Sequence, residues 1–252
     1  MSFDVSADAY DRLIGRYSQQ LSAQLADLAG VRAGQRVVDV GCGPGALTGE
    51  LVTRVGAEAV SAVDPSEPFV EAIRQRYPGV EIELAPAEDL PFGDDTFDAA
   101  LAQLVVHFMA DPVAGLAEMR RVTCPGGVVA ASVWDHAGGS SPVAPFWRAA
   151  HVLDLGAPDE SGFAGTREGH LAELLTAVGC TDVEDAALAS RVQHATFDSW
   201  WEPFMAGVGP AGAFLTGLDA QAGARLRERC REQLGDGPIV IAARAWAARG
   251  RA

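Results

Sequence analysis

The chain has 252 residues, 48% of them hydrophobic, and a formal net charge of −15. That length and apolar content suit one large domain with a sizeable core and exclude a disordered chain. No apolar run approaches the roughly 18–20 residues needed to cross a bilayer, the opening "MSFDVSADAYDRLIGRYSQQ" has no secretion-type leader, and so acidic a surface repels phosphate backbones.

The predicted elements alternate. Helical periodicity over 8–30 ends at Gly30, a candidate C-cap. A short β-branched strand covers 35–40, and a helix over 46–56 stops at Gly56. A strand at 57–64 leads into a helix over 66–79, with Ser66 as N-cap and Pro78-Gly79 as stop. Then come a strand and turn over 80–92, an apolar run over 96–108, a helix over 111–127 with Pro112 in its first turn, and a strand over 127–135. Strands spaced by single helices predict parallel βαβ units with helices on both faces of a doubly wound sheet. The second half is less regular. Residues 136–169 read as a long connection with a helix near 145–155, 167–180 as a helix, and 181–197 as a bent strand. An aromatic, glycine-rich stretch covers 198–218, followed by a helix over 220–237 and a closing strand over 238–250.

The strand at 35–40 runs directly into "GCGPG". Glycines 41, 43 and 45 can adopt positive φ and let a ligand approach the main chain. Asp64 falls at the end of the next strand, where a carboxylate can accept hydrogen bonds from both hydroxyls of a ribose. Together they predict a nucleoside-containing ligand. The dinucleotide pattern G-x-G-x-x-G would place its third glycine at residue 46, which is alanine, so NAD is disfavoured. The phosphate-binding G-K-[ST] sequence is absent. The four cysteines form no CxxC pair, and the histidines have no metal-ligand spacing, so no metal or disulfide is expected.

"VVDVGCGPGALT" resembles the first motif of the class I S-adenosylmethionine-dependent methyltransferases. The segments "AVDPSEPFVEAIRQR" and "APAEDLPFGDDTFDAALAQLVVHFMADPVAGLAEMRRVTCPGGVV" resemble the following sections of the small-molecule, ubiquinone-biosynthesis-like (type 11) branch. The resemblance covers roughly 8–135. It implies a Rossmann-like α/β fold with a seven-stranded, mostly parallel sheet, an antiparallel last strand, an N-terminal helix and lid insertions. It implies one methyltransferase domain, with a cofactor core over 8–135, substrate-side insertions over 136–218 and a closing helix and strand over 219–252. The cofactor would be S-adenosylmethionine, leaving as S-adenosylhomocysteine, and the partner a small or medium organic acceptor.

The resemblance also implies roles. Asp39 would orient the loop and help hold the methionine ammonium, and Gly41, Cys42 and Gly43 would give backbone contacts. Asp64 would take the ribose hydroxyls, and Pro65 and Ser66 would lie against the adenine edge. Ala87 would present its N–H to adenine with Glu88 near the exocyclic amine, although Pro86 stands where the family often has an aspartate. Gln103 and Leu104 would line the methionine end. Tyr10, Arg16 and Tyr17 could close over the cofactor, with Arg16 near its carboxylate. His107, after the fourth strand, is the candidate to take a proton from a phenol or similar acceptor. The acceptor pocket is expected among Trp134, Phe146, Trp147, Phe163, Trp200, Trp201, Phe204 and Phe214, with glycine-rich segments at 136–169 and 205–217 as a mobile lid. Two other readings stay open, a non-catalytic binder of the same cofactor and a nicotinamide-dependent oxidoreductase. A cytoplasmic location with no nucleic-acid or membrane partner is the expectation.

Overall fold

A computed structural model describes residues 11–252. Tyr10 therefore lies outside the described residues. After a π-helical turn at Asp11–Gly15, helix α1 spans Arg16–Ala29 and ends at Gly30 in the left-handed conformation (φ 68°). The nucleotide-type half follows as β1 (Val37–Val40), α2 (Ala46–Val55), β2 (Val60–Asp64), α3 (Glu67–Arg76), β3 (Glu81–Leu84), β4 (Phe97–Gln103), α4 (Pro112–Arg121) and β5 (Thr123–Trp134). The remainder is α5 (Ala144–Val152), α6 (His170–Ala177), β6 (Thr181–His194), α7 (Phe197–Trp201), α8 (Gly209–Gly217), α9 (Ala220–Leu234) and β7 (Ile239–Arg251).

The strands form one seven-stranded sheet in the order β3-β2-β1-β4-β5-β7-β6. Every pairing from β3 to β5 is parallel, and β7 runs antiparallel between β5 and β6. Period-two alternation sends neighbouring residues to opposite faces. In β4, Ala99 and Leu101 join a core built with Leu21, Leu25, Leu51 and Ile73. Ala100 and Ala102 join the other, with Leu116, Met119, Leu171 and Leu175. Both faces are thus covered by helices, as a parallel sheet requires.

Three expected boundaries shift. Residues 57–59 form a single 3-10 turn before β2. The helix expected over 111–127 stops at Arg121, and β5 begins at Thr123, because Thr123 already pairs with Phe97 across a bulge. The glycine-rich stretch at 205–217 is mostly helical, in a 3-10 turn ending at Ala206 and in α8. Among the described residues no helix is long and apolar enough to cross a membrane.

The outer strand β6 has an unusual neighbour. Gln24 donates from Nε2 to Ala189 O (2.8 Å) and accepts at Oε1 from Ala189 N (3.1 Å). Gln20 does the same with Arg191 (3.1 and 3.0 Å), and Arg16 donates to Gln193 O (2.8 Å). Four helical residues rise about 6 Å and two strand residues about 6.6 Å, so side chains four apart on α1 match alternate residues of β6. The helix thereby supplies the hydrogen bonds that an eighth strand would make, on an edge otherwise open to other chains. Replacing Gln20 or Gln24 by Ala removes its two hydrogen bonds to β6, with a third to α1 itself, and should lower stability by about 1 kcal/mol each. The double variant should also self-associate. An unchanged urea midpoint together with unchanged light scattering would contradict this role.

Candidate functional site

At the end of β1 the chain turns through Gly41, Cys42 and Gly43 into α2. Gly41, Gly43 and Gly45 have φ of 72°, 52° and 98°. A Cβ on Gly41 would lie 2.5 Å from both Val105 Cγ atoms, and one on Gly45 2.5 Å from Ile73 Cδ1. Internal packing therefore already demands two of the three glycines. Gly43 alone has nothing within 4 Å of a Cβ and borders open space. The loop amides are committed inside the protein. Gly41 N and Cys42 N both donate to Val63 O (2.8 and 3.0 Å), and Gly43 N donates to Asp64 Oδ2 (2.8 Å). Asp64 Oδ1 accepts from Ser66 N (2.9 Å). What the loop offers a ligand is close approach, and Asp64 keeps a second lone pair on each oxygen.

Beyond the carboxyl ends of β1, β2 and β4 lies a cleft of about 270 Å³. Its walls bring together Asp39, Gly41, Cys42, Gly43, Asp64 and Pro65 from the first two strand ends. Ala87 and Glu88 face them from the loop after β3, and Gln103 and Leu104 from the end of β4. Three of these residues are carboxylates, and the described residues of the wall include no Lys, Arg or His. Asp39 is 1% exposed; its Oδ2 accepts from Thr48 (2.7 Å) while Oδ1 has no partner. Gln103 donates to Ser18 O (3.2 Å) and Ser22 Oγ (3.0 Å), which leaves its Oε1 buried without a partner. Glu88 accepts from Asp111 N (3.1 Å). Burial, reinforced by the nearby Asp64 charge, pushes Asp39 up to about 7 against the Thr48 hydrogen bond. Burial raises Asp64 to about 6, opposed by its two backbone donors. The cleft thus contains buried carboxyl groups that lack a cation.

The structure places four expected residues elsewhere. Ser66 does not line the cleft but donates from its backbone N to Asp64. Arg16 is engaged with the edge of β6. Tyr17 is buried and its hydroxyl pairs with His194 Nε2 at 2.7 Å. His107 lines a separate cavity, its ring 3.8 Å from that of Phe108 by centroids, and burial lowers it to about 3. Sequence reasoning missed Ser18, Leu47, Phe69, Phe108 and Met109 in the cleft wall. All but Ser18 lie within the segments that carry the family resemblance, but as ordinary apolar residues with no distinguishing chemistry. Most of the expected pocket aromatics pack on one another: Phe146 stacks on Phe204 at 4.8 Å and meets Trp147 edge-on at 5.1 Å. Of the described residues, no group of three or more His, Cys, Asp or Glu could hold a metal.

A family model described as a methyltransferase domain matches residues 38–131, which span β1, the glycine loop, Asp64 and β4. The core is similar to those of the class I small-molecule methyltransferases. A demethylmenaquinone methyltransferase of Paenarthrobacter aurescens is 30% identical over 175 residues, covering 62% of this chain and 66% of that protein. The YcgJ protein of Bacillus subtilis has a similar fold, with a TM-score of 0.57, 21% identity and coverage of 93% and 97%. A Haemonchus contortus phosphoethanolamine N-methyltransferase 2, in complex with phosphomonomethylethanolamine and S-adenosylhomocysteine, gives 0.61 at 17% identity, covering 97% of this chain and 56% of that one. The chain spans between about a third and two thirds of the lengths of the curated relatives it matches. The methyltransferase fold is thereby shared across nearly the whole chain, and the sequence likeness concentrates where the cleft is built.

The raised carboxyls carry a stability consequence. Between about pH 4 and pH 7 the native state keeps protons on Asp39 and Asp64 that the unfolded chain has released, so stability falls as pH rises through that window. For Asp39 the change is roughly 4 kcal/mol. Asp39→Asn should flatten most of the slope in urea midpoint against pH; a slope as steep as in the parent protein would place the titration elsewhere.

Proposed function

We propose that the chain is a methyltransferase that binds S-adenosylmethionine in this cleft and moves its methyl group to a small or medium organic acceptor. The charge of the wall carries the reading. Three carboxylates with no basic residue beside them repel a pyrophosphate and attract a cation. The unpartnered Asp39 Oδ1 and Gln103 Oε1 fit an ammonium, directly or through a water. Asp64, with lone pairs to spare, fits a ribose diol beside Gly43, the open position of the loop. Pro65, Ala87 and Glu88 fit the adenine end of the same ligand.

When bound, the sulfonium supplies a methyl group already activated for displacement. The protein's part is then to align and to exclude water, which can be worth roughly 7–11 kcal/mol. Leu104 is suited to this. It holds a left-handed backbone (φ 62°) with its N–H on Ser132 O at 2.7 Å, a conformation costly for a branched side chain and frequent at functional sites. It lies at the end of β4 where the cleft meets the second cavity.

Calorimetry should give saturable binding of S-adenosylhomocysteine and none of NAD(P)H; the reverse result would overturn the reading. Asp64→Ala should weaken that binding by roughly 30- to 1,000-fold, the loss of two hydrogen bonds to a carboxylate plus a loosened loop. Arg16→Ala, engaged at the sheet edge, should leave it within about twofold. Because the ammonium needs Asp39 ionised, affinity should drop by about tenfold or more from about pH 8 to about pH 5.5.

A further inference from the structure

A second cavity, of about 60 Å³, adjoins the cleft, and Leu104 and Phe108 belong to both walls. Its lining is apolar except for His107, His136 and Glu160. His136 Nδ1 lies 3.4 Å from Glu160 Oε2, and both side chains are more than nine-tenths buried. Apart from that contact Glu160 Oε2 is unsatisfied, and His107 Nδ1 has no hydrogen-bond partner. Glu160 comes from the connection between α5 and α6, and His136 from the turn after β5. Two distant segments therefore deliver an acid and an imidazole to one apolar hole. Burying such a pair is costly for stability alone, since a well-packed apolar pair would serve as well or better.

We propose that this cavity receives the hydroxyl of a phenolic acceptor, and that His136, oriented by Glu160, takes its proton. The inference rests on the reading that the cleft holds the methyl donor. With Nδ1 turned to Glu160, Nε2 is the nitrogen left to accept. The acceptor oxygen bonds to the methyl carbon as the carbon–sulfur bond breaks, and that bond's electron pair stays on sulfur. The oxygen's proton passes to His136 Nε2 and later to solvent. The resulting imidazolium lies beside a carboxylate, so no isolated charge forms in the apolar hole. An amine acceptor attacks through its free lone pair and needs no such base. Trp134 and Phe108 give the flat walls an aromatic ring would use.

The charged and titratable groups facing His136 are Glu160, His107 and Asp135, the last neutralised by Arg244 at 2.8 Å. Burial lowers His136 to about 4, so it is neutral and able to accept at neutral pH, and a phenolate formed against it would raise it again by direct charge pairing in the apolar hole. His107 is the less suitable base, since its Nδ1 is closed off and no carboxylate orients it.

The test uses 4-nitrophenol, whose phenolate absorbs visibly, added to the protein saturated with S-adenosylhomocysteine. At a fixed pH below the free phenol's own titration, the bound probe should show a phenolate band. His136→Gln and Glu160→Gln should lose that band while keeping the parent affinity for S-adenosylhomocysteine, which also verifies folding. The proposal is overturned if the saturated parent protein gives no band. It is overturned equally if the band survives in His136→Gln, or is lost in His107→Asn alone. If S-adenosylhomocysteine itself fails to bind the parent protein, it is the reading of the cleft that fails.

Discussion

One carboxylate between two backbone amides sets the geometry of the functional end. Asp64 accepts from Gly43 on one side and from Ser66 on the other, tying the loop after β1 to the turn after β2. The in-register pairing of Val40 with Val63 brings those two ends level. Because this bond and the Val63 carbonyl consume the amides of residues 41–43, the loop is not an anion cradle of the phosphate-binding kind, which works through free N–H groups. Selectivity must instead come from side chains around the loop, and those are acidic. The same glycine-rich sequence that superficially suits a pyrophosphate is folded into a site of the opposite electrostatic character.

Helix α1 couples this end of the molecule to the far edge of the sheet. Residues 16, 20 and 24 satisfy the outer backbone of β6, while Ser18 and Ser22 hold the amide of Gln103 at the cleft. Tyr17, Leu21 and Leu25 fill the core between. Three stripes of one helix thus do three jobs, at a periodicity of four residues. The helix that closes the β6 edge is thus also the one that positions Gln103, whose Oε1 is one of the two unpartnered acceptors of the cleft.

Legibility in the sequence followed the range of the interactions. The strand–glycine–helix unit, Asp64 at the next strand end and the order of elements were readable, because each depends on local periodicity, turn chemistry or a spacing within one βαβ unit. Residues at the strand ends were readable for the same reason: topology carries them to one crevice whatever the side chains are. That Arg16 and Tyr17 lie outside the cleft wall was not readable, because their partners, Gln193 and His194, are 177 residues away, on a strand whose edge position only the complete sheet reveals. The aromatic cluster had the composition of a pocket, but Phe146, Phe204 and Trp201 pack mainly on each other. Glu160 gave no signal at all, being one acid in an acidic chain until the connection before α6 carries it to His136.

The two cavities differ in how they handle charge, and under the proposed reading that difference has a direction. In the cleft, Asp39 and Asp64 repel one another and lack a counter-ion, so a doubly cationic head is favoured over a singly cationic one. After transfer the sulfur is neutral, one favourable charge interaction is gone, and the same carboxylates hold the product less well than the donor. In the side cavity the positive charge arises only during transfer, on an imidazole whose carboxylate is already in place. Positive charge therefore moves from the acidic cleft to the imidazole–carboxylate pair across the wall formed by Leu104 and Phe108. A preorganised carboxylate at each end costs no reorganisation at the moment of reaction. Leu104, with its left-handed backbone, lies on the wall shared by the two cavities, where the acceptor oxygen and the methyl carbon would meet.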